Sequence, residues 1–190
     1  MNKNDNETIK NIYSRYSCRG FDKNKPVSDD NLDTIMQAAL TSPSSYNSQN
    51  WQFVVCQNTE ILDRLQNIAL ENAKLQDITV YQRLKSVGGR IFYDAPVAVF
   101  IARPNNEVNL ASVNSGIALQ TIALCATSLG LNTLMCGMTR LCFSGKNVNE
   151  LYSLLKFPKD FVCDLSILMG YGTAKRKERE LDKSKITYIK

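Results

Sequence analysis

Apolar positions recur along this chain in two rhythms, one with the period of a helix and one with the unbroken runs of buried strands. Ile9, Ile12, Tyr13 and Tyr16 fall at i, i+3, i+4 and i+7, which predicts a helix over residues 5–16 lying on a core and stopped by Ser17, Cys18, Arg19 and Gly20. A second helix is expected to start at Ser28, an N-cap followed by Asp29 and Asp30, and to bury Leu32, Ile35, Met36, Ala39 and Leu40. Residues 53–56 read as a buried strand, and a helix from Thr59 turns Ile61, Leu62, Leu65, Ile68 and Ala69 to the core. Residues 76–94 are weakly patterned and read as a short helix plus loop, broken at Gly88 and Gly89.

Residues 97–102 form an unbroken β-branched and aromatic run, the mark of a strand covered on both faces. From about Val108 to Leu129 the helical segment is apolar on most sides, which assigns it to the centre of a molecule or to a subunit interface. Gly116, Ala118 and Ala123 would let another backbone come close to it, and Gly130 caps it. A third strand over residues 133–136 ends at Gly137. A helix over residues 146–156 packs Val148, Leu151, Tyr152 and Leu155, and a last strand over residues 162–168 closes on Gly170, Tyr171 and Gly172. Four strands and five or six helices in mixed order give an α+β chain in three layers, with helices on both faces of the sheet.

The stretch that departs from both rhythms is residues 41–55, Thr-Ser-Pro-Ser-Ser-Tyr-Asn-Ser-Gln-Asn-Trp-Gln-Phe-Val-Val. Pro43 ends a helical pattern, six short polar side chains come after it, and the only tryptophan, Trp51, anchors the far end. Composition alone makes this a solvated loop. Amides and hydroxyls beside a buried aromatic also suit a flat ligand with polar edges.

The length of 190 residues fits one domain over the whole chain, with residues 175–190 as a basic tail. That tail holds seven lysines and arginines against three acids, so it carries most of the net charge of +5 and leaves the body near neutral. A local anion contact, or a soluble tail, fits this better than a broad nucleic-acid footprint. The first residues are polar and the run at 97–102 is too short to span a bilayer, so a cytoplasmic protein without a membrane partner is expected.

There is no histidine. Histidine-activated serine or cysteine nucleophiles are therefore excluded, general-base work falls to carboxylate, lysine or tyrosine, and an enzyme with so few tools often leaves the hard chemistry to a cofactor. Cysteines 18, 56, 125, 136, 142 and 163 show no CxxC and no zinc spacing, so no metal is expected and free thiols are. Phosphate-loop readings fail as well: Gly145-Lys146 is followed by asparagine, and Gly170-Tyr171-Gly172 lacks a third glycine and a following helix.

Arg15, Ser17 and Arg19 alternate at the end of the first helix, a compact array able to grip a phosphate or a plain solvated helix end. In company with the residues C-terminal to it, the array becomes specific. Arg15-x-Ser17-x-Arg19-x-Phe21, then Pro26-Val27 leading to a helix, then Ser42-Pro43-Ser44-Ser45-x-Asn47-x-Gln49-x-Trp51-x-Phe53 resembles the FMN-dependent nitroreductase family. The likeness is densest over residues 9–56; Ala95-Pro96 before a strand, the 116–130 helix and the strand ending at Gly170-Tyr171 resemble the family's later landmarks. Asn50 stands where the family usually has proline, and Asn114 where relatives often have aspartate.

The resemblance implies a nitroreductase-like fold with a central, mixed but mainly antiparallel sheet, and an interlocked homodimer with FMN bound non-covalently at its interface. It assigns Arg15 and Ser17 to the FMN phosphate and Arg19 to the N1/C2-carbonyl side of the ring, where a cation stabilises reduced flavin. Pro43, Ser44, Ser45 and Asn47, with Gln49 beside them, resemble the loop that reaches the other subunit's flavin. Cys136 and Gly137 match the segment whose N–H meets flavin N5, and the tail supplies a second phosphate grip, Lys177 and Arg179 being preferred over Lys175 and Arg176. Residues 88–94 are expected at the pyrimidine edge. The implied activity passes hydride from NAD(P)H to a small acceptor such as a nitroaromatic, quinone or enone by a ping-pong route, with no indispensable catalytic side chain. A flavin-binding sensor or storage protein without turnover is the alternative.

Overall fold

The computed structural model of the chain describes residues 6–86, 88–106 and 109–190, and for Asn109 the backbone alone. Elements follow the order α1 (Glu7–Ser14), α2 (Asp29–Leu40), β1 (Gln52–Cys56), α3 (Thr59–Gln76), α4 (Ile78–Ser86), β2 (Val97–Pro104), α5 (Asn109–Ser128), β3 (Asn132–Met135), α6 (Val148–Leu154) and β4 (Phe161–Gly170). The strands form one sheet in the order β1-β2-β4-β3. Every ladder is antiparallel, and the parallel component expected from the sequence is reduced to an isolated bridge between Ser17 and Thr133.

The alternation along β2 explains the layers. Val97, Val99 and Ile101 point to one side, where Leu32, Ile35 and Ala39 of α2 and Ala118, Ile122 and Ala126 of α5 meet them. Ala98 and Phe100 point to the other, onto Leu62, Leu65 and Ala69 of α3, Leu84 of α4 and Leu151 of α6. A buried strand needs apolar residues on both faces, and β2 is buried over six successive positions. At Ile101/Ala102 the register with β4 slips, so that Leu165 and Cys163 face successive β2 residues and Asp164 becomes the extra one. Asp164 turns inward to Arg103 Nε at 3.2 Å and accepts from Ser112 of α5 at 3.0 Å, tying sheet to helix.

Several expectations change. The first helix ends at Ser14, two residues short of the expected end at Tyr16, because Arg15 leaves helical backbone and the Cys18 N–H donates to the Thr133 carbonyl at 2.9 Å. None of its residues is buried, and Ile12 and Tyr13 are exposed, so α1 does not lie on the protomer's core. Asp5 and Val108, at the expected starts of two helices, lie outside the described residues, as does Val87. Leu40 is exposed at the last residue of α2, beyond the packed turn of Ala39. Among the described residues the first strand is an edge strand paired only with β2, which leaves Val55 exposed. The 146–156 helix is shorter than expected, running from Val148 to Leu154.

The long apolar helix is borne out as the central one. Its buried face includes Ala111, Asn114, Ala118, Ile122 and Ala126, while Leu110, Val113 and Ile117 form an exposed apolar stripe. Val113 alone is 55% exposed, unusual for a helix that otherwise packs on a sheet. By length and composition α5 is also the one described helix able to cross a membrane, but nearly half of that stretch is buried inside the protein. Gly130 closes it with φ +77°, the left-handed C-cap that lets the Leu131 N–H return to the Ala126 carbonyl at 2.9 Å.

Candidate active site

Residues 15–22 leave α1 and run along the open edge of β3. Ser17 bridges Thr133, and Phe21 bridges Gly172 on the far side. Gly172 has to be glycine at this crossing: an added Cβ would stand 2.6 Å from Asn132 Oδ1 and 2.8 Å from the Cys18 sulfur. Its N–H instead donates to Asn132 Oδ1 at 2.9 Å. The Thr173 N–H donates to the Gly20 carbonyl at 2.9 Å, the Tyr16 hydroxyl to the Ala174 carbonyl at 2.9 Å, and Arg176 Nη2 to the Tyr13 carbonyl at 2.5 Å. The start of the basic tail is thus strapped to the Arg15-Ser17-Arg19 segment, and cations from the two ends of the chain share one edge of the sheet.

Arg15 and Ser17 are half-buried there, and Arg19 is exposed. Lys177 and Arg179 are exposed farther along the tail, while Arg176, not favoured by the sequence reading, is the tail cation with a hydrogen bond to this region. Two guanidiniums, a hydroxyl and a third guanidinium nearby suit a phosphate group.

At the opposite end of β3, Cys136 caps a 3₁₀ stretch, Gly137–Phe143, without a side-chain capping bond. Gly137 is exposed, and a Cβ there would meet nothing within 4 Å, so its backbone faces an open surface. The turn beneath is rigid. Thr139 Oγ1 and Ser166 Oγ lie 2.7 and 3.0 Å from the Cys136 carbonyl and 2.6 Å from each other, all buried; with one proton each, one hydroxyl donates to the carbonyl and the other to its neighbour's oxygen. Burial pushes the Cys136 thiol up, opposed by the N–H groups of Met138 and Thr139 and by the Arg19 guanidinium. The 88–94 segment joins from above: the Cys136 sulfur contacts the Ile91 carbonyl at 3.6 Å, and the Phe21 N–H donates to the Tyr93 carbonyl at 3.1 Å. Beside Gly137 opens a cavity of about 470 Å³, with Val80, Met138, Phe143 and Tyr152 as its apolar wall and Arg140 at its margin.

The polar loop sits elsewhere, on α5. Pro43, Asn47 and Gln49 are exposed and Ser44 and Ser45 half-buried; Tyr46 is 97% exposed. The Gln49 N–H donates to Ser44 Oγ at 3.0 Å and Gln49 Nε2 to Asn47 Oδ1 at 3.0 Å, while the Ser45 N–H donates to Asn114 Oδ1 at 3.0 Å. The expected residues thus form two groups in one protomer, one at the ends of β3 and one on α5.

Sequence reasoning missed Thr139 and Ser166, and it treated Asn114 only as a departure from a pattern. Ser166 was visible as a hydroxyl inside an otherwise apolar strand, a placement that asks for a buried partner. Among the described residues no three histidine, cysteine or acidic side chains gather to hold a metal. All six cysteines are free thiols. Burial raises the Cys56, Cys125 and Cys163 thiols and pushes Cys142 up to about 12, so these thiols are neutral near pH 7 and poor nucleophiles.

The chemistry of the donor set, a phosphate-sized cationic edge at one end of β3 and an open backbone turn at the other, suits a ligand with a terminal phosphate and a flat ring. Comparison with known proteins agrees. The model of the nitroreductase family matches residues 12–171. The crystal structure of a nitroreductase with bound FMN from Desulfitobacterium hafniense superposes with a TM-score of 0.92 at 39% identity, covering 97% of this chain and 99% of that one. A second, also with bound FMN, from Bacteroides fragilis, gives a TM-score of 0.88 at 26% identity over 97% and 100%. An FMN reductase [NAD(P)H] of Bacillus subtilis is 29% identical over 92% of this chain and 69% of its own length.

Proposed function

The chain belongs to the nitroreductase family and is an FMN-dependent oxidoreductase that uses NAD(P)H, and we propose that it works as a cytoplasmic homodimer whose two flavin sites each draw on both protomers. The chemistry that FMN supplies when bound is hydride exchange between NAD(P)H and a small acceptor. The chain's residues bind it, orient it and set its electrostatics. Arg15 and Ser17 hold the phosphate, with a tail cation as second grip. Lys177 and Arg179 remain the sequence-based choice for that grip, and Arg176, already fixed on the Tyr13 carbonyl, is the structural rival. Arg19 places positive charge toward the ring's N1/C2-carbonyl side, and the Cys136–Gly137 turn, locked by Thr139 and Ser166, presents backbone N–H toward N5.

Two observations support the dimer. Apolar residues of α5 and α1 lie bare in one protomer, and Pro43, Ser44, Ser45, Asn47 and Gln49 sit on α5 as a group apart from the β3 edge. A partner covering α5 would satisfy both, in an interface expected to exceed about 2,000 Å². The whole chain acts as one domain in this reading, with no part for nucleic acid or membrane.

No side chain serves as an indispensable acid or base. There is no histidine, and burial raises the Cys56, Cys125, Cys136, Cys142 and Cys163 thiols. The apolar, partly aromatic cavity beside Gly137 suits flat acceptors such as nitroaromatics, quinones or enones. The observation that carries the reading is the convergence of Arg15, Ser17, Arg19 and the tail strap at one edge of β3. Steady-state rates with NADH and NADPH against a panel of these acceptors test it: turnover with parallel double-reciprocal lines is expected. Bound FMN with no turnover would make the protein a flavin sensor or store instead.

A further inference from the structure

Asn114 is a polar residue in the buried face of an apolar helix, and only 1% of it is exposed. Both ends of its side-chain amide are turned on one loop. The Ser45 N–H donates to Oδ1 at 3.0 Å, and Nδ2 donates to Ser48 Oγ at 3.4 Å and to Asn50 Oδ1 at 3.2 Å. A backbone N–H can only donate, so the Ser45 contact fixes which end of the amide is oxygen and leaves the nitrogen facing Ser48 and Asn50. The loop so held is strained: Tyr46, Asn47 and Gln49 have φ of 54°, 51° and 46°, left-handed backbone that non-glycine residues keep only when their surroundings impose it.

The partner of Asn114 is the other departure from the family pattern. A proline at 50 would drive the preceding residue toward extended backbone, whereas Gln49 is left-handed here. An aspartate at 114 would accept from Ser45 but would have no donor for Asn50. The two substituted positions face each other and complement each other as donor and acceptor.

We propose that Asn114 is the positioning residue of the 44–50 loop and that, paired with Asn50, it sets FMN affinity through the shape of that loop. The proposal rests on the loop's contribution to a flavin site, itself part of the proposed function. Asn114 has no part in the chemistry. N50D is tolerable, since the Asn114 amide still donates to a carboxylate, whereas N114D keeps the acceptor for Ser45 and loses the donor to Asn50. The double change sets two carboxylates against each other in place of the Asn114–Asn50 hydrogen bond, and protonation of one relieves the repulsion.

The test uses the 190-residue chain as purified, with FMN affinity by fluorescence titration and Ser45 amide exchange by NMR or mass spectrometry, in N114A, N114D, N50D and N50D/N114D. N114A should speed Ser45 exchange and weaken FMN binding, each about tenfold. N50D should stay within about threefold of the parent, N114D should fall between N50D and N114A, and N50D/N114D should lose about tenfold beyond the product of the two singles. That excess loss should recover toward pH 5, which a purely structural defect would not do. Thermal unfolding of N114D and N50D checks that the fold is intact. Unchanged Ser45 exchange in N114A, or additive effects in the double variant, would overturn the proposal. So would fast Ser45 exchange with unaltered FMN affinity. Failure of the parent protein to bind FMN would instead sink the underlying functional reading.

Discussion

Thr139 and Ser166 stand 2.6 Å apart in the interior and share the carbonyl of Cys136, at 2.7 and 3.0 Å, in the turn proposed to meet the flavin. Ser166 lies on β4 and Thr139 on the 3₁₀ stretch, so the pair clamps the turn to the sheet. Thr139→Val keeps the volume but leaves Ser166 with fewer partners. It should cost about 1–3 kcal/mol in urea denaturation and lower FMN affinity. A variant equal to the parent in both would show that the clamp does nothing for the turn.

The cationic edge predicts two separable effects. Arg15→Ala removes a charge-assisted phosphate contact and should weaken FMN binding ten- to a hundredfold, about 1.5–3 kcal/mol. Arg19→Ala should shift the flavin potential downward and slow reduction by nicotinamide, with a smaller loss of affinity. Spectroelectrochemical titration of the two variants distinguishes the roles; a lowered potential in Arg15→Ala with none in Arg19→Ala would reverse the assignment.

The bare stripe on α5 should be an interface. A charge at its centre, Val113→Glu, would be tolerated by a protomer that leaves Val113 exposed, but not by a dimer that buries it. Light scattering should report a dimer for the parent and a monomer with weakened FMN binding for the variant. A parent that is monomeric with full flavin and activity would refute this.

The buried thiols give a direction for alkaline pH. Cys142 is raised from 9.0 to about 12 chiefly by burial, so above pH 9 the unfolded chain releases a proton that the folded chain keeps. Its contribution is complete below pH 9 and is lost as pH rises through about 12. Stability should fall at up to about 1.4 kcal/mol per pH unit for this group. Cys142→Ala should flatten that decline in urea melts between pH 8.5 and 11, and an unchanged slope would contradict it.

How far the sequence could be read depended on whether a residue's partner lies near it in the chain. The four strands and the central helix were legible because their apolar runs are self-contained, as in Val97, Val99 and Ile101. The Arg15-Ser17-Arg19 array was legible from its spacing. The early end of α1 was not, since it is set by Thr133, more than a hundred residues away. Nor was the slip in β4, where Asp164 breaks register to meet Arg103 and Ser112. Val55 and Leu40 were misjudged because hydrophobicity says a residue prefers cover, not that its own protomer provides it.

The central claim is that each flavin site joins the Arg15-Ser17-Arg19 edge of one protomer to the 43–49 loop of its partner. Co-expression of an R15A/R19A chain with an N47A/Q49A chain, differently tagged, tests it most directly. In the mixed dimer one site carries all the lesions and the other carries none. The purified mixed dimer should therefore bind one FMN with the parent's affinity, although each variant alone binds weakly at both sites. If both groups served the same protomer's flavin, every site would carry one lesion, and the mixed dimer would bind no better than its parents.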